Sequence, residues 1–170
     1  WFESNLRIMR EFPDVIFVPS WWVEYGMAIE PSTLGSRISF HPDQPPSQLP
    51  LLDRPEDIKR FAPVNPHSDG LMALALETYR LQKPRILDAG YTLPLVTARG
   101  PLCLAAFLRG LTDFLMDIAE NPGGARKLLA FTTDTVIRWL KAQAEVIGDS
   151  VEGIFVLDDI PGLLSRRFYR

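Results

Sequence analysis

The chain has 170 residues with 46% hydrophobic content, a mean hydropathy of +0.02 and a formal net charge of −3. That composition supports a buried core and excludes a disordered chain; without a cluster of Lys and Arg it also excludes a surface built for nucleic acid or an anionic membrane. No apolar stretch reaches the roughly 18 residues of a membrane-crossing helix, and no basic-then-apolar signal peptide opens the chain, so a soluble protein is expected.

Residues 1–11, "WFESNLRIMRE", space Phe2, Leu6, Ile8 and Met9 among charges, the pattern of an amphipathic helix ended before Pro13. "DVIFVPSWW" follows as a buried strand near 14–18 running into a loop with Trp21, Trp22 and Tyr25. Aromatics after a strand end either cover the edge of a core or form a stacking wall for a flat ligand. On the second reading Trp21 and Trp22 bind substrate. Residues 31–66 hold eight of the fifteen prolines and read as a long excursion with little regular structure. It contains the short segment "RISF" and a short helix, "RPEDIKRF", marked by its proline and acidic start. The two histidines, His41 and His67, lie in proline-rich loops, neither near Cys103 in sequence, so no metal site is expected within these residues.

With Ser68 or Asp69 as N-cap, "GLMALALETYRLQ" predicts a helix near 69–82 closed by Pro84. "TLPLVTARGP" reads as a strand near 94–98, broken at Gly100-Pro101, and Pro101 opens a helix near 101–109. A second helix near 112–120 and a third near 123–147 follow. In the third, Leu129, Thr132, Val136, Trp139, Leu140, Gln143 and Ile147 recur at helical spacing. "GIFVL" at 153–157 is a β-branched and aromatic run, as in a strand buried on both faces of a parallel sheet. The order argues an α/β fold with parallel strands. A closed (β/α)8 barrel needs about 250 residues, so the chain is expected to hold an incomplete barrel or a smaller open sheet. It starts at Trp1 rather than Met and stops in "RRFYR", which reads as the opening of a helix. Both ends look cut. Residues 1–170 are expected to form a single domain, an internal portion of a longer chain.

Two adjacent aspartates, Asp158 and Asp159, end the last strand before a proline-glycine break. One could cap a helix or brace a turn; both could face a ligand, because ligands bind beyond the carboxyl ends of parallel strands. Arg99 and Arg109, near strand and helix ends, read either as cations for a ligand's carboxylates or as solvated or capping residues. Cys103, the single cysteine, cannot form an internal disulfide. In "PLCLAAF" it reads as a buried structural thiol rather than a nucleophile, consistent with a reducing cytoplasm.

Taken in order, "DVIFVPSWWVEYGMAIE", "LLDRPEDIKRF", "GPLCLAAFLRG", "NP" with "KLLAFTTDTVIRWLKAQ", and "IFVLDDIPGLLSRRFYR" resemble the uroporphyrinogen decarboxylase superfamily across about 150 residues. The resemblance implies a (β/α)8 barrel with a tetrapyrrole-sized cleft at the carboxyl mouth of its strands. It also implies an enzyme acting on a tetrapyrrole or corrinoid, either a heme-pathway decarboxylase or a zinc-dependent corrinoid methyltransferase. Asp158 matches the acidic position of the superfamily's Phe-Asp-Ser turn and is the implied catalytic residue. Asp159 takes the serine position, Gly162, Leu164 and Ser165 match later members, and Phe107 stands where the decarboxylases keep a substrate-contacting tyrosine. Trp21, Trp22, Arg99, Phe107 and Asp159 are the implied substrate-binding set. The decarboxylases hold an aspartate in an Ile-Phe-Ser-Asp context on the early strand; here "VIFVPSWW" has no carboxylate until Glu24. The expectation therefore leans to cobamide-dependent methyl transfer. Decarboxylation of uroporphyrinogen III to coproporphyrinogen III is the alternative, and a non-catalytic tetrapyrrole-binding relative the second. Zinc and corrinoid would belong to a full-length protein, not to this segment. A homodimer or a corrinoid-protein partner, and a cytoplasmic location, are further implications.

Overall fold

The computed structural model describes residues 1–169. In chain order the helices are α1 Phe2–Glu11, α2 Ile29–Ser32, α3 Gly70–Asp88, α4 Pro101–Arg109, α5 Leu111–Glu120, α6 Pro122–Ile147 and α7 Arg166–Tyr169. The strands are β1 Ile38–Ser39, β2 Ser47–Gln48, β3 Leu95–Arg99 and β4 Gly153–Leu157, and tight 3-10 turns occupy Pro55–Arg60, Gly148–Ser150 and Ile160–Leu163. The architecture is mixed α/β with a parallel sheet, β3 beside β4 in a register that runs from Leu95 opposite Gly153 to Arg99 opposite Leu157. The strands end level with one another, and Gly100 N–H extends the ladder to the Leu157 carbonyl at 2.7 Å. β1 and β2 form only a two-residue antiparallel pair across the proline-rich excursion.

The core joins elements far apart in sequence. Phe2, Leu6 and Met9 of α1 are buried at helical spacing. They belong to one apolar cluster with Trp21, Met72, Leu76 and Ile86, which continues through Leu104, Leu108, Phe114, Leu128 and Trp139. Gln143, fully buried on α6, turns its amide onto β3: its Nε2 donates to the Thr97 carbonyl at 2.8 Å, and its Oε1 accepts from the Thr97 N–H at 3.2 Å. A side chain thus takes the place of a neighbouring strand at Thr97.

Three expectations are corrected. The strand at 153–157 is not buried on both faces: Ile154 is 66% and Val156 39% exposed. No strand forms near 14–18: Val15, Ile16 and Val18 are 52%, 89% and 58% exposed, and among the described residues no strand pairs with them. Composition suits the run to a sheet, but a strand exists only where a neighbour takes its main-chain groups, and Pro13 and Pro19 remove donors on both sides. The helix expected to close at Pro84 continues to Asp88. Pro84 forfeits a single main-chain bond, to the Arg80 carbonyl, while the turn beyond it seats Ile86 in the core and ties Arg85 to Glu3 at 2.6 Å. The Arg85 guanidinium also sits 4.2 Å from the centroid of the Phe2 ring. The strands expected near 94–98 and 153–157 and the helices near 101–109, 112–120 and 123–147 form within one residue of those bounds.

Candidate functional site

Helix α4 begins with a deficit. Its N-cap is Gly100, which has no side chain, and its first residue, Pro101, has no N–H. The next two amides must therefore find an acceptor elsewhere. Asp158, at the end of β4, supplies both: Oδ2 accepts from Leu102 N–H at 2.9 Å and Oδ1 from Cys103 N–H at 3.0 Å. A Cβ on Gly100 would overlap the Asp158 carboxyl group, so glycine at 100 is what admits the carboxylate. The pairing locks the α4 start to the β4 end and places a negative charge at a helix N-terminus, where it is stabilised.

Asp159 is the exposed member of the doublet. Its Oδ1 accepts the Cys103 S–H at 2.9 Å, and that bond, with its own backbone N–H, holds its carboxyl below the ordinary range. Burial and the same bond push the Cys103 thiol up to about 12, so it stays protonated. The two aspartates divide the roles that the sequence left open between capping and facing a ligand. Asp158 spends both oxygens on α4, Asp159 faces outward, and the Gly162 N–H goes to the main-chain carbonyl of Asp159 rather than to its side chain. A chain read linearly does not reveal that the helix short of a cap is the one beside β4.

Arg99, the last residue of β3, organises the rest. Its Nη2 donates to Glu24 at 2.9 Å, its guanidinium carbon stands 5.0 Å from the centroid of the Trp22 ring, and its main-chain N–H donates to Glu30 Oε1 at 2.8 Å. Glu30 lies on α2 and is fully buried. Burial raises its carboxyl above the ordinary range against the pull of the Arg99 amide. Glu24 is raised from 4.5 to about 7 chiefly by burial; the Arg99 charge opposes this and the nearby Glu30 charge adds to it. Trp22, Glu24, Glu30, Arg99 and Asp159 thus gather at the carboxyl ends of two parallel strands, where ligands of such sheets bind.

Of the residues expected to bind substrate, Trp22, Arg99 and Asp159 stand in this cluster. Trp21 does not: it is 2% exposed, stacked on Phe2 at 5.4 Å and edge-on to Tyr91 at 5.6 Å. One tryptophan thus completes the core and the other reaches the site. The half-buried Phe107 follows Cys103 by one helical turn, farther from the strand ends, and packs on the core. Arg109 is engaged elsewhere, pairing with Asp117 at 2.7 Å and Asp113 at 2.8 Å to brace α5. A groove of about 560 Å³ between α4, α5, α6 and α7 includes Leu102, Ile118, Leu129 and Phe168 but none of the clustered ionisable groups. Sequence reading missed Glu24 and Glu30 as partners of Arg99; the signal available was that Glu24 is the first carboxylate after the early apolar run.

A zinc ion does not fit the described residues. Among them no group of three or more His, Cys, Asp and Glu side chains could hold a metal. Cys103 is a protonated thiol, His41 is bonded to Ser47 at 3.1 Å, and His67 pairs with Glu145 at 3.5 Å.

A search of curated proteins returns no match. Among solved structures, a methyltransferase from Methanosarcina mazei superposes with a TM-score of 0.75 at 17% sequence identity, over 99% of this chain and 49% of that one. The chain therefore spans about half the length of that neighbour, and at such identity the likeness concerns the fold. The family model described as Uroporphyrinogen decarboxylase (URO-D) matches residues 18–170, and by that extent the chain belongs to the uroporphyrinogen decarboxylase family.

Proposed function

We propose that the chain contributes part of a (β/α)8 barrel enzyme acting on a tetrapyrrole or corrinoid, and that cobamide-dependent methyl transfer is its reaction. The observation that carries the choice is the state of the early segment. Residues 15–23 hold no carboxylate, and Glu24, the first after them, is tied to Arg99 at 2.9 Å. A pyrrole decarboxylase needs a free, fixed negative group beside the ring nitrogens, and a carboxylate already paired with a guanidinium serves that purpose poorly. Trp22 would offer a ring face to a macrocycle, and Asp158, by pinning α4, would act as a positioning residue for Asp159 and Arg99. The methyl-transfer chemistry would be supplied by a corrinoid and by a thiol activated outside the described residues.

One observation favours decarboxylation as a second reading. A carboxyl raised to about 7 can carry the proton that replaces a departing carboxylate. The two readings separate in the intact protein bearing this segment. Thiol-dependent demethylation of methylcobalamin, followed by its absorption spectrum, is expected without release of carbon dioxide from uroporphyrinogen III. Carbon dioxide release without demethylation would reverse the assignment, and a protein that binds uroporphyrin while doing neither would be a non-catalytic tetrapyrrole carrier.

A further inference from the structure

Arg99 is held from behind and unfinished in front. Its main chain is fixed to Glu30 and its guanidinium is braced by Trp22, yet Glu24 meets it through one nitrogen, Nη2 at 2.9 Å. The buried Nε has no hydrogen-bond partner among the described residues. A guanidinium presents five donors in a planar fork that matches a carboxylate with two parallel bonds. A single bond from Glu24 leaves that capacity unused, and an unpartnered buried donor is costly enough to demand an explanation. Both side chains keep a path to solvent, Arg99 at 21% exposure and Glu24 at 27%.

We propose that Glu24 holds the place of a ligand carboxylate on Arg99 and is displaced from it when that ligand binds. The inference rests on the tetrapyrrole arm of that reading for the identity of the ligand, because the side chains of a uroporphyrinogen-type tetrapyrrole are carboxylates whereas those of a cobamide are amides. It adds an exchange of ions to that reading. Once released, Glu24 faces Glu30 on α2 and Tyr79 on α3; Tyr79 is neutral because burial pushes its hydroxyl up to about 12. Asp159 lies close enough to Arg99 to feel its charge and adds negative charge to the cluster. Apart from Arg99, only the Tyr25 N–H among the described residues supports a bare Glu24 carboxylate, against burial and the Glu30 charge, so Glu24 takes up a proton on release. The balance is complete. Paired Glu24 carboxylate and Arg99, plus the ligand carboxylate and one proton from solvent, become neutral Glu24 and an Arg99–ligand ion pair.

The test is calorimetric titration of the intact protein with coproporphyrin, and separately with propionate, in buffers of different ionisation enthalpy. Near pH 8, above the raised Glu24 value, binding is expected to take up about one proton, and near pH 6 almost none. Glu24→Gln should abolish the uptake and tighten binding near pH 8 by about tenfold. Arg99→Lys, which keeps the charge but not the fork, should weaken binding at both pH values. Coproporphyrin binding with no proton uptake and no response to Glu24→Gln would overturn the exchange while leaving the tetrapyrrole reading in place. Arg99-dependent binding of propionate with proton uptake, but no binding of coproporphyrin, would sustain the exchange and sink the tetrapyrrole reading. Proton uptake measured on the wild type decides the matter even where a variant fails to fold.

Discussion

At the residue scale, the aspartate doublet separates a structural charge from a free one. Asp158 gives each oxygen to an α4 amide and sits against a glycine that no other residue could replace without collision. Among the described residues Asp159 bonds only the Cys103 thiol and its own main-chain N–H and is otherwise exposed. Asp158→Ala should therefore cost about 1–2 kcal/mol as a lost helix cap, and Asp159→Ala should stay within about 0.5 kcal/mol. Urea denaturation of the two variants checks this. Equal costs, or a larger one for Asp159, would show that the α4 start does not depend on Asp158. The same pair marks a limit of linear reading. Both aspartates were legible as residues at a strand's carboxyl end, but their division of labour depends on an N-cap glycine 58 positions earlier.

At the scale of elements, the β3 edge is the point of vulnerability. The Thr97 N–H and carbonyl are completed by the Gln143 amide rather than by a strand. Replacing Gln143 with Leu keeps an apolar filling but strands one donor and one acceptor in the core, at about 1–3 kcal/mol for each group. A stability loss of about 2–4 kcal/mol by chemical denaturation is expected; a loss below about 0.5 kcal/mol would mean that water or a shifted strand satisfies Thr97. Helical periodicity placed Gln143 on the buried face of α6. It could not tell that a polar residue there was matched to a strand. The reverse happened at 14–18, where a strand-like composition met no partner, and at Pro84, where a local stop signal gave way to the burial of Ile86.

At the scale of the whole molecule, the ionisable cluster couples the early loop, α2 and β3, so its protonation bears on global stability. Glu24 is raised from 4.5 to about 7. Folding therefore favours its protonated form, and that contribution is fully present below 4.5 and lost as pH rises through about 7. With a side chain 27% exposed, solvent screening leaves a loss on the order of 2 kcal/mol. Buried Glu30 pulls in the same direction. Urea midpoints of the wild type should fall between about pH 5 and pH 8, and Glu24→Gln should flatten that fall. Parallel curves for the two proteins would remove Glu24 as its source.

The long helices, the two paired strands and their parallel order were determined by the sequence itself. Apolar periodicity, proline and glycine stops and β-branched runs are local signals that act over a few residues. Family membership was legible for a related reason, since motif order survives where no single motif does. The tertiary structure alone decided which residues meet. It buried Trp21 while presenting Trp22, gave Asp158 to α4, and left β3 to be completed by Gln143. It also set Glu24 and Glu30 around Arg99, across 75 and 69 residues of chain. Hydrogen-bond satisfaction and the desolvation of charge depend on the three-dimensional neighbourhood, and no local pattern in the chain encodes that neighbourhood.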